Sequence, residues 1–384
     1  MIVVQLTTDN REPFREYHKT APWFGAAPKA LLQGFAEMPG VEVHVVSCTQ
    51  QPMAASPEKL AGNIWFHSLL VPKLGWLRTG YQGCIRAVRK KMRELKPDIV
   101  HGQGTERDCA FSAIFSGAPN VTTIHGNMAE LARLFPPAFG GYGWWAARLE
   151  NFTLPRTAGV FCNSDYTASL VRPRARRIWR VANPIREAFF APVGPAPRGD
   201  KPILLNIGVI SPRKRQLELL ELARELHETG LSFEIHFIGL AEPADPYAAK
   251  FLEQMRAAEQ AGYARHLGLK SATELIQCFE EGSGLIHFPS EEAFGLVVAE
   301  ALARDVKFFG TRLGGIKDIA GDVPGAELLD VADWRGLGAA LAAWLRAGAA
   351  RPGGAAQLMR ARYHPAVIAR RHLEIYREVL NKPS

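Results

Sequence analysis

Short apolar runs alternate with stretches of helical spacing along nearly the whole chain, and this alternation limits the fold more than any other feature. In the first half, the runs with the length and composition of buried strands are MIVVQL, VEVHVVS, DIVHG, NVTTIHG and AGVFCNS. Helical spacing over 27–38, 82–95 and 106–116 lies between them. Continuously apolar strands separated by helices are typical of parallel sheets covered on both faces, so the sequence predicts an α/β fold.

The segment FFAPVGPAPRGDKP is rich in proline and glycine and stops this pattern. Beyond it the alternation restarts, with ILLNIG, FEIHFIG, RHLGL, GLIHFP and VKFFGT as strands. Helical spacing over 212–229, 247–261 and 272–281 lies between the first four of them. At 384 residues the chain is also too long for one compact core. We therefore expect two Rossmann-like, doubly wound domains that face each other across a cleft. The predicted parts are a first domain over 1–190, a linker over 191–201, a second domain over 202–363, and a C-terminal helix over 364–384 that packs back on the first domain.

The cysteines and the apolar runs indicate a cellular compartment. The five cysteines are scattered and contain no C-x-x-C pair, which argues against a disulfide framework or a zinc site and favours a reducing environment. The N-terminus becomes polar too early for a signal peptide, and no stretch reaches the roughly 18 apolar residues of a membrane span. We expect a cytoplasmic protein.

The net charge of +8 comes entirely from the first half of the chain, where residues 1–190 hold 23 Lys and Arg against 14 Asp and Glu. The basic residues are dense in 85–95 and 171–180. They form either a solvated face or a contact for an anionic partner, such as phospholipid head groups on the inner side of a membrane or a polyanionic substrate. For a lipid contact we expect Arg89, Lys90 and Lys91 to contribute. No nucleic-acid-binding signature accompanies the charge, so no nucleic-acid partner is predicted.

Three junctions between a strand and a helix in the second half carry residues suited to an anionic ligand. IGVISPRKRQ places Arg213 and Lys214 after a strand, PSEEAFGLV places Phe294 and Gly295 before a helix, and TRLGGIKD supplies a Gly-Gly turn. Glu292 precedes the helix at Gly295, and Glu300 lies about 7–8 Å further along its axis. This separation suits a ligand with hydroxyl groups at both ends and a phosphate between them.

Taken together, these motifs resemble a known family. Glu-x-Phe-Gly followed by Glu300-Ala-Leu-Ala resembles the paired-glutamate motif of retaining glycosyltransferases with the two-domain GT-B fold, in the glycosyltransferase family 4 group. GVISPRKRQLELLEL, HLGLKSATELIQCFEEGSGLIHFPS and TRLGGIKDIAG are similar to further stretches of that family. In the first half PDIVHGQG, TTIHG, CNSDYT and VANPI follow the family's order. The resemblance covers nearly the whole chain.

The resemblance implies a role for each matched residue. Arg213 and Lys214 would neutralise the diphosphate of a nucleotide sugar, Glu292 would bind the hexose hydroxyls, and Glu300 would hold the ribose. Reacting groups would be Glu292, His125, Arg213 and Lys214, with His125 reaching from the first domain toward the donor sugar. The remaining donor-binding positions would be Gly208, Leu269, Lys270, Phe294, Gly295 and Leu296.

The acceptor side is less defined by the resemblance. A long loop after the first strand carries Trp23, Phe24 and Gly25. The rings of Trp23 and Phe24 either stack on a sugar acceptor, hold a lipid, or pack the loop down. His101 is either structural or on the acceptor side.

The resemblance further implies that a hexose-type sugar moves from a nucleoside-diphosphate sugar to an acceptor hydroxyl with retained configuration, in cell-envelope glycan or glycolipid synthesis. No Asp-x-Asp lies at a suitable place, so no metal or other cofactor is expected. Two alternatives remain, a nucleotide-sugar 2-epimerase of the same fold and a non-catalytic protein that binds a sugar or polyanion. A dehydrogenase is disfavoured because no G-x-G-x-x-G follows the first strand.

Overall fold

The computed structural model describes residues 1–54, 58–192, 199 and 201–381. The chain forms two compact units: unit 1 contains Met1–Arg186 together with Tyr363–Ser384, and unit 2 contains Glu187–Arg362. Most of the predicted linker over 191–201 lies outside the described residues. The C-terminal helix belongs to unit 1.

Unit 1 is built on a sheet whose described strands have the order β3-β4-β2-β1-β5-β6-β7-β8. These strands are β1 (Ile2–Leu6), β2 (Glu42–Thr49), β3 (Lys59–Ala61), β4 (Ile64–Leu70), β5 (Ile99–Gln103), β6 (Asn120–Ile124), β7 (Val160–Cys162) and β8 (Ile178–Arg180). Neighbouring strands are parallel apart from the edge pair of β3 with β4. The central strands β1 and β5 are buried almost throughout, as their apolar sequences predict.

The helices of unit 1 come from both ends of the chain. They are α1 (Ala26–Ala36), α2 (Gln82–Leu95), α3 (Asp108–Ile114), α4 (Met128–Leu134), α5 (Tyr142–Thr153), α6 (Asp165–Val171) and the C-terminal α14 (Pro365–Leu380). Helix α14 begins at a proline, with the His364 side chain accepting the Ala366 N–H. It packs closely on α1, where a Cβ atom at Gly34 would lie 2.2 Å from the Pro365 carbonyl oxygen. A side chain at position 34 would therefore separate the two helices.

Unit 2 contains a parallel sheet with the order β11-β10-β9-β12-β13-β14 among the described strands. Its strands are β9 (Ile203–Ile207), β10 (Glu234–Ile238), β11 (Ala264–His266), β12 (Gly284–His287), β13 (Lys307–Thr311) and β14 (Ala326–Leu329). Its helices are α7 (Gln216–Glu228), α8 (Pro246–Ala261), α9 (Ala272–Glu281), α10 (Leu296–Leu302), α11 (Gly314–Ala320), α12 (Trp334–Arg346) and α13 (Ala355–Tyr363). The two parallel-sheet units confirm the predicted α/β class.

Local sequence explains where several helices of unit 2 begin and end. Asp245 caps α8 ahead of a proline, and Gly262 ends it in the left-handed conformation. Ser271 and Glu274 form a capping box at the start of α9. The helix predicted from residue 212 begins only at Gln216, because Arg215 adopts a left-handed φ of 59° that interrupts the helical turn before it. Arg213 and Lys214 therefore lie in a loop.

In the described part of the chain, none of the helices is both long enough and apolar enough to cross a bilayer.

Candidate active site

The carboxyl ends of β9 and β12 define the candidate site of unit 2. These strands are neighbours at the centre of the sheet, and the chain continues from β9 toward one edge and from β12 toward the other. Such a reversal opens a crevice at the strand ends, where α/β proteins bind ligands. The two loops that enter it are 208–215 and 288–295, and a hydrogen bond from the Ser290 N–H to the Arg213 carbonyl holds them together at 2.9 Å.

Lys214, His287 and Glu292 form one cluster in this crevice. The Lys214 ammonium donates to Glu292 Oε2, and His287 Nε2 donates to the same oxygen at 2.9 Å. Lys214 Nζ also lies 3.4 Å from His287 Nε2. The side chains of Lys214 and Glu292 are only 13% and 12% exposed. Gly208, at the end of β9, contacts this cluster: a Cβ there would lie 3.7 Å from Lys214 Cε.

Burial and charge set the ionisation of this cluster. Burial opposes the charge on Glu292, but Lys214 and the His287 hydrogen bond hold the pKa of this carboxyl far below its ordinary value. Burial lowers the pKa of His287 to about 4, with the Lys214 charge acting in the same direction. The cluster at neutral pH is thus an ammonium, a carboxylate and a neutral imidazole.

Arg213 and Glu291 form a second ion pair beside the first. The guanidinium donates to Glu291 Oε2 at 3.1 Å and to the Glu291 carbonyl oxygen at 3.3 Å. Among the described residues, Glu291 Oε1 is buried without a hydrogen-bond partner. The two cations predicted to neutralise a diphosphate are therefore each paired with a glutamate.

The Gly-Gly turn supports the loop that carries Glu292. The Gly315 N–H donates to the Glu292 carbonyl oxygen at 3.1 Å. A Cβ at Gly315 would lie 2.4 Å from Phe294 Cα, so only glycine permits this packing. Gly295 has a φ of 96° and precedes the first residue of α10, Leu296. Phe294 is buried, with 2% of the residue exposed.

The remaining predicted donor residues occupy other positions in unit 2. Glu300 lies in α10 and is only 4% exposed. Leu269 and Lys270 follow the edge strand β11, and Leu269 is 64% exposed. Lys270 forms an ion pair with Glu274, at 3.2 Å, in the first turn of α9.

His125 lies in unit 1, just after the carboxyl end of β6. Its Nε2 is 3.0 Å from Gln103 Oε1, while Gln103 Nε2 donates to Gln5 Oε1 at 2.7 Å. Gln5 in turn donates to the Tyr376 hydroxyl of α14 at 2.9 Å. Since the Gln103 oxygen can only accept, this chain fixes a proton on His125 Nε2. Burial lowers the pKa of His125 to about 4, so the imidazole is neutral at pH 7.

Three residues near these clusters were missed by the sequence reasoning: His287, Glu291 and Glu106. Glu106 Oε1 accepts the Gly126 N–H, next to His125, at 3.0 Å. Burial raises the pKa of Glu106 to about 7. The available signal was position, because Glu106 and Glu291 closely follow the ends of β5 and β12, and His287 is the last residue of β12.

Two of the predicted acceptor-side residues are core residues. Phe24 is 6% exposed and packs edge-on against Phe66 at 5.7 Å. His101 is fully buried, with Nδ1 2.6 Å from the Tyr376 hydroxyl. Burial therefore favours packing over acceptor contact for Phe24 and a structural role for His101. Trp23 is partly exposed and stacks on Phe14 at 4.9 Å, and the adjacent Gly25 precedes α1.

One group of potential metal ligands lies in unit 1. In the part of the chain that the structure describes, Cys48, Cys84 and Asp108 form the one such group, with ligand atoms within 4.8 Å of one another, all buried in unit 1. Cysteines that are far apart in sequence are thus brought together by β2 and α2. Metal independence remains a prediction.

Two parallel-sheet units, one with a crevice at its switch point, are the architecture that the family resemblance implies. Residues 29–188 match the family model Glycosyltransferase Family 4, and residues 191–353 match the model Glycosyl transferases group 1. The chain belongs to this glycosyltransferase family, as its motifs predict.

Solved structures of the same fold are similar over nearly their whole length. Sucrose-phosphate synthase from Thermosynechococcus elongatus is 14% identical, with a TM-score of 0.73 over 99% of both chains. HepE from Anabaena, in complex with UDP, is 14% identical, with a TM-score of 0.69 over 98% of this chain and 100% of that one. The lipopolysaccharide outer core galactosyltransferase WaaB is 15% identical, with a TM-score of 0.67 over the same shares. No curated protein sequence matches the chain.

Proposed function

We propose that this glycosyltransferase moves a hexose-type sugar from a nucleoside-diphosphate sugar to an acceptor hydroxyl, with retained anomeric configuration and without a metal ion. The observation that carries the proposal is the cluster of Lys214, His287 and Glu292 at the switch point of unit 2. HepE has been solved with UDP, with UDP and glucose, and with UDP-glucose, which supports this donor class.

Each ion pair has a part in the proposed reaction. Arg213 and Lys214 place two positive charges where the leaving diphosphate gains negative charge. Glu292, kept ionised by Lys214 and His287, faces the sugar hydroxyls beside the reacting carbon. Glu300, further along α10, holds the ribose. Phe294, Gly295 and Leu296 offer backbone N–H groups.

The bond changes proposed for retention occur on one face of the sugar. The bond from the anomeric carbon to the leaving phosphate oxygen breaks, the acceptor oxygen forms the new bond, and its proton passes to the leaving phosphate. Retaining glycosidases instead use a second carboxylate about 5 Å away as nucleophile. Here the other nearby carboxylate, Glu291, is bound to Arg213.

The acceptor proposed is a sugar or glycolipid of the cell envelope, made on the cytoplasmic side. WaaB, a lipopolysaccharide outer core galactosyltransferase of the same fold, supports this choice.

Donor binding is the first test of this function. A panel of UDP, GDP and ADP sugars is added to the purified protein, and the melting temperature is followed. A ligand at 100 times its dissociation constant stabilises the protein by about 2.7 kcal/mol. The preferred donor is then incubated with candidate acceptors, and the anomeric configuration of the product is read by NMR.

The same assay separates the alternatives. Free nucleotide appearing only with an acceptor supports transfer, whereas an isomerised sugar nucleotide without any acceptor identifies an epimerase. Binding without turnover in every combination supports a non-catalytic protein. An inverted product would contradict the retaining mechanism.

A further inference from the structure

An unusual amount of apolar surface is exposed around α4 and α5 of unit 1. Phe139 is 86% exposed in the turn between the helices, and Tyr142 is 50% exposed at the start of α5. Helix α4 contains no buried residue. We call this region the aromatic surface, and it consists of Phe115, Phe135, Phe139, Tyr142, Trp145 and Phe152, each at least 38% exposed.

Part of the aromatic surface is a side of α5 that the protein leaves uncovered. Tyr142, Trp145, Leu149 and Phe152 are spaced by three or four residues, so they lie along one stripe of the helix. Leu149 is buried in the core, while the other three remain open. Phe152 lies 6.3 Å from Phe115 at the end of α3, which extends the surface sideways. Contiguous exposed apolar surface of this kind marks an interaction site.

Arginine side chains accompany the aromatic rings. The Arg148 guanidinium lies 3.9 Å above the Trp144 ring, and that of Arg156 lies 3.7 Å above Phe152. The acid on α5, Glu150, is buried and held by Arg174 at 2.7 Å. Glu130 of α4 is likewise paired, with Arg133 at 2.6 Å. The surface therefore offers apolar rings and positive charge with little unpaired negative charge.

A basic cavity adjoins the Phe115 side of this surface. It has a volume of about 580 Å³ and is lined by Arg89, Arg93 and Lys96 of the α2 end, together with Ser116 and Gly117. These two residues directly follow Phe115 in the chain. By contrast, Lys91, one of the cations expected to meet lipid, is engaged by Glu94 at 2.6 Å.

We propose that unit 1 docks on an anionic phospholipid bilayer through the aromatic surface, with Arg89, Arg93 and Lys96 binding phosphate head groups beside it. Aromatic side chains prefer the boundary between head groups and acyl chains, and arginines extend from it toward the phosphates. A turn that projects Phe139 suits a fluid layer into which it can insert. Charge complementarity favours an anionic bilayer over a second copy, because two copies would bring their arginines together. This inference does not depend on the proposed sugar transfer.

The test is co-sedimentation of the full-length chain with vesicles. One set is phosphatidylcholine alone, and the other contains about one third phosphatidylglycerol. The double substitution Phe135→Ser, Phe139→Ser should weaken partitioning into the anionic vesicles by roughly tenfold or more, since two exposed rings lose their apolar contact. Leu74→Ser is the matched control, because Leu74 is 75% exposed in unit 1 outside the aromatic surface. It should bind as the wild type does.

Charge reversal tests the second half of the proposal. Arg89→Glu with Arg93→Glu should abolish the preference for anionic vesicles, and added salt should weaken wild-type binding. Circular dichroism of each variant checks that the fold persists. Equal binding by the Phe135, Phe139 double variant and the wild type would overturn the proposal. The proposal would also be overturned if sedimentation velocity showed a wild-type dimer that dissociates in the double variant while vesicle binding is unchanged.

Discussion

Replacing Glu106 by glutamine should stabilise the protein increasingly as the pH rises. Glu106 lies beside His125, and its Oε1 accepts the Gly126 N–H at 3.0 Å. Burial raises its pKa to about 7, from 4.5 for an exposed glutamate. The folded state therefore binds this proton more tightly than the unfolded state. Stability from the protonated carboxyl is fully present below about pH 4.5 and is lost as the pH rises through about 7.

The size of the effect follows from the difference between the two pKa values. Each pKa unit corresponds to 1.36 kcal/mol, so ionised Glu106 destabilises the fold by about 3 kcal/mol at most above pH 7. Glutamine keeps the oxygen that accepts the Gly126 N–H and removes the titrating proton. The stability gap between Glu106→Gln and the wild type should thus be small at pH 5, grow through pH 6, and level off near pH 8.

Urea unfolding followed by tryptophan fluorescence measures this gap, because six of the eight tryptophans lie in unit 1. Glu130→Gln is a suitable control, since the hydrogen bond from Arg133 lowers the pKa of Glu130 instead of raising it. That variant should gain no stability between pH 5 and 8. A gap for Glu106→Gln that stays constant across this range would refute the argument that burial governs its ionisation.

The remaining predictions concern the donor site. Arg213→Ala and Lys214→Ala should each weaken nucleoside-diphosphate binding by roughly 1.5–3 kcal/mol, and unchanged calorimetric affinity in both would remove them from the site. Glu292→Gln should lower kcat by about 10²-fold or more, whereas Glu300→Gln should mainly raise the donor KM; steady-state kinetics showing the reverse would exchange their roles. Gly315→Ala should cost about 1–3 kcal/mol of stability, measured by urea unfolding, because its Cβ meets Phe294 at 2.4 Å. Transfer should continue in excess EDTA; loss that manganese or magnesium restores would establish a metal requirement.

Sequence patterns predicted helices and strands well where residues close together in the chain determine them. The apolar runs correspond to the central strands, and α8, α9 and α14 begin and end near the predicted residues because caps, prolines and glycines act within one turn. Strands β3, β4, β8 and β14 were missed. Of these, β4 is only half-buried and lacks a continuous apolar run. The start of α7 was misplaced because a left-handed Arg215 has no distinct sequence signal.

The predicted donor residues share unit 2, but their partners did not follow from the sequence. Motif order indicated Arg213, Lys214 and Glu292 as site residues. That Lys214 binds Glu292 and Arg213 binds Glu291 depends on β9 and β12 being neighbours in the sheet. His287 joins them for the same reason. Ionisation likewise depends on burial, which a sequence does not specify residue by residue.

From the sequence alone we predicted the α/β class, the repeated doubly wound pattern and the residues of the donor motif. These predictions rest on periodicity and on short motifs, which depend on neighbours along the chain. Packing between distant segments makes Phe24 and His101 core residues, brings α14 into unit 1, and leaves the aromatic side of α5 uncovered. Whether an apolar side chain is buried depends on what packs over it, and on α5 that covering includes Leu149 but leaves Trp145 and Phe152 exposed.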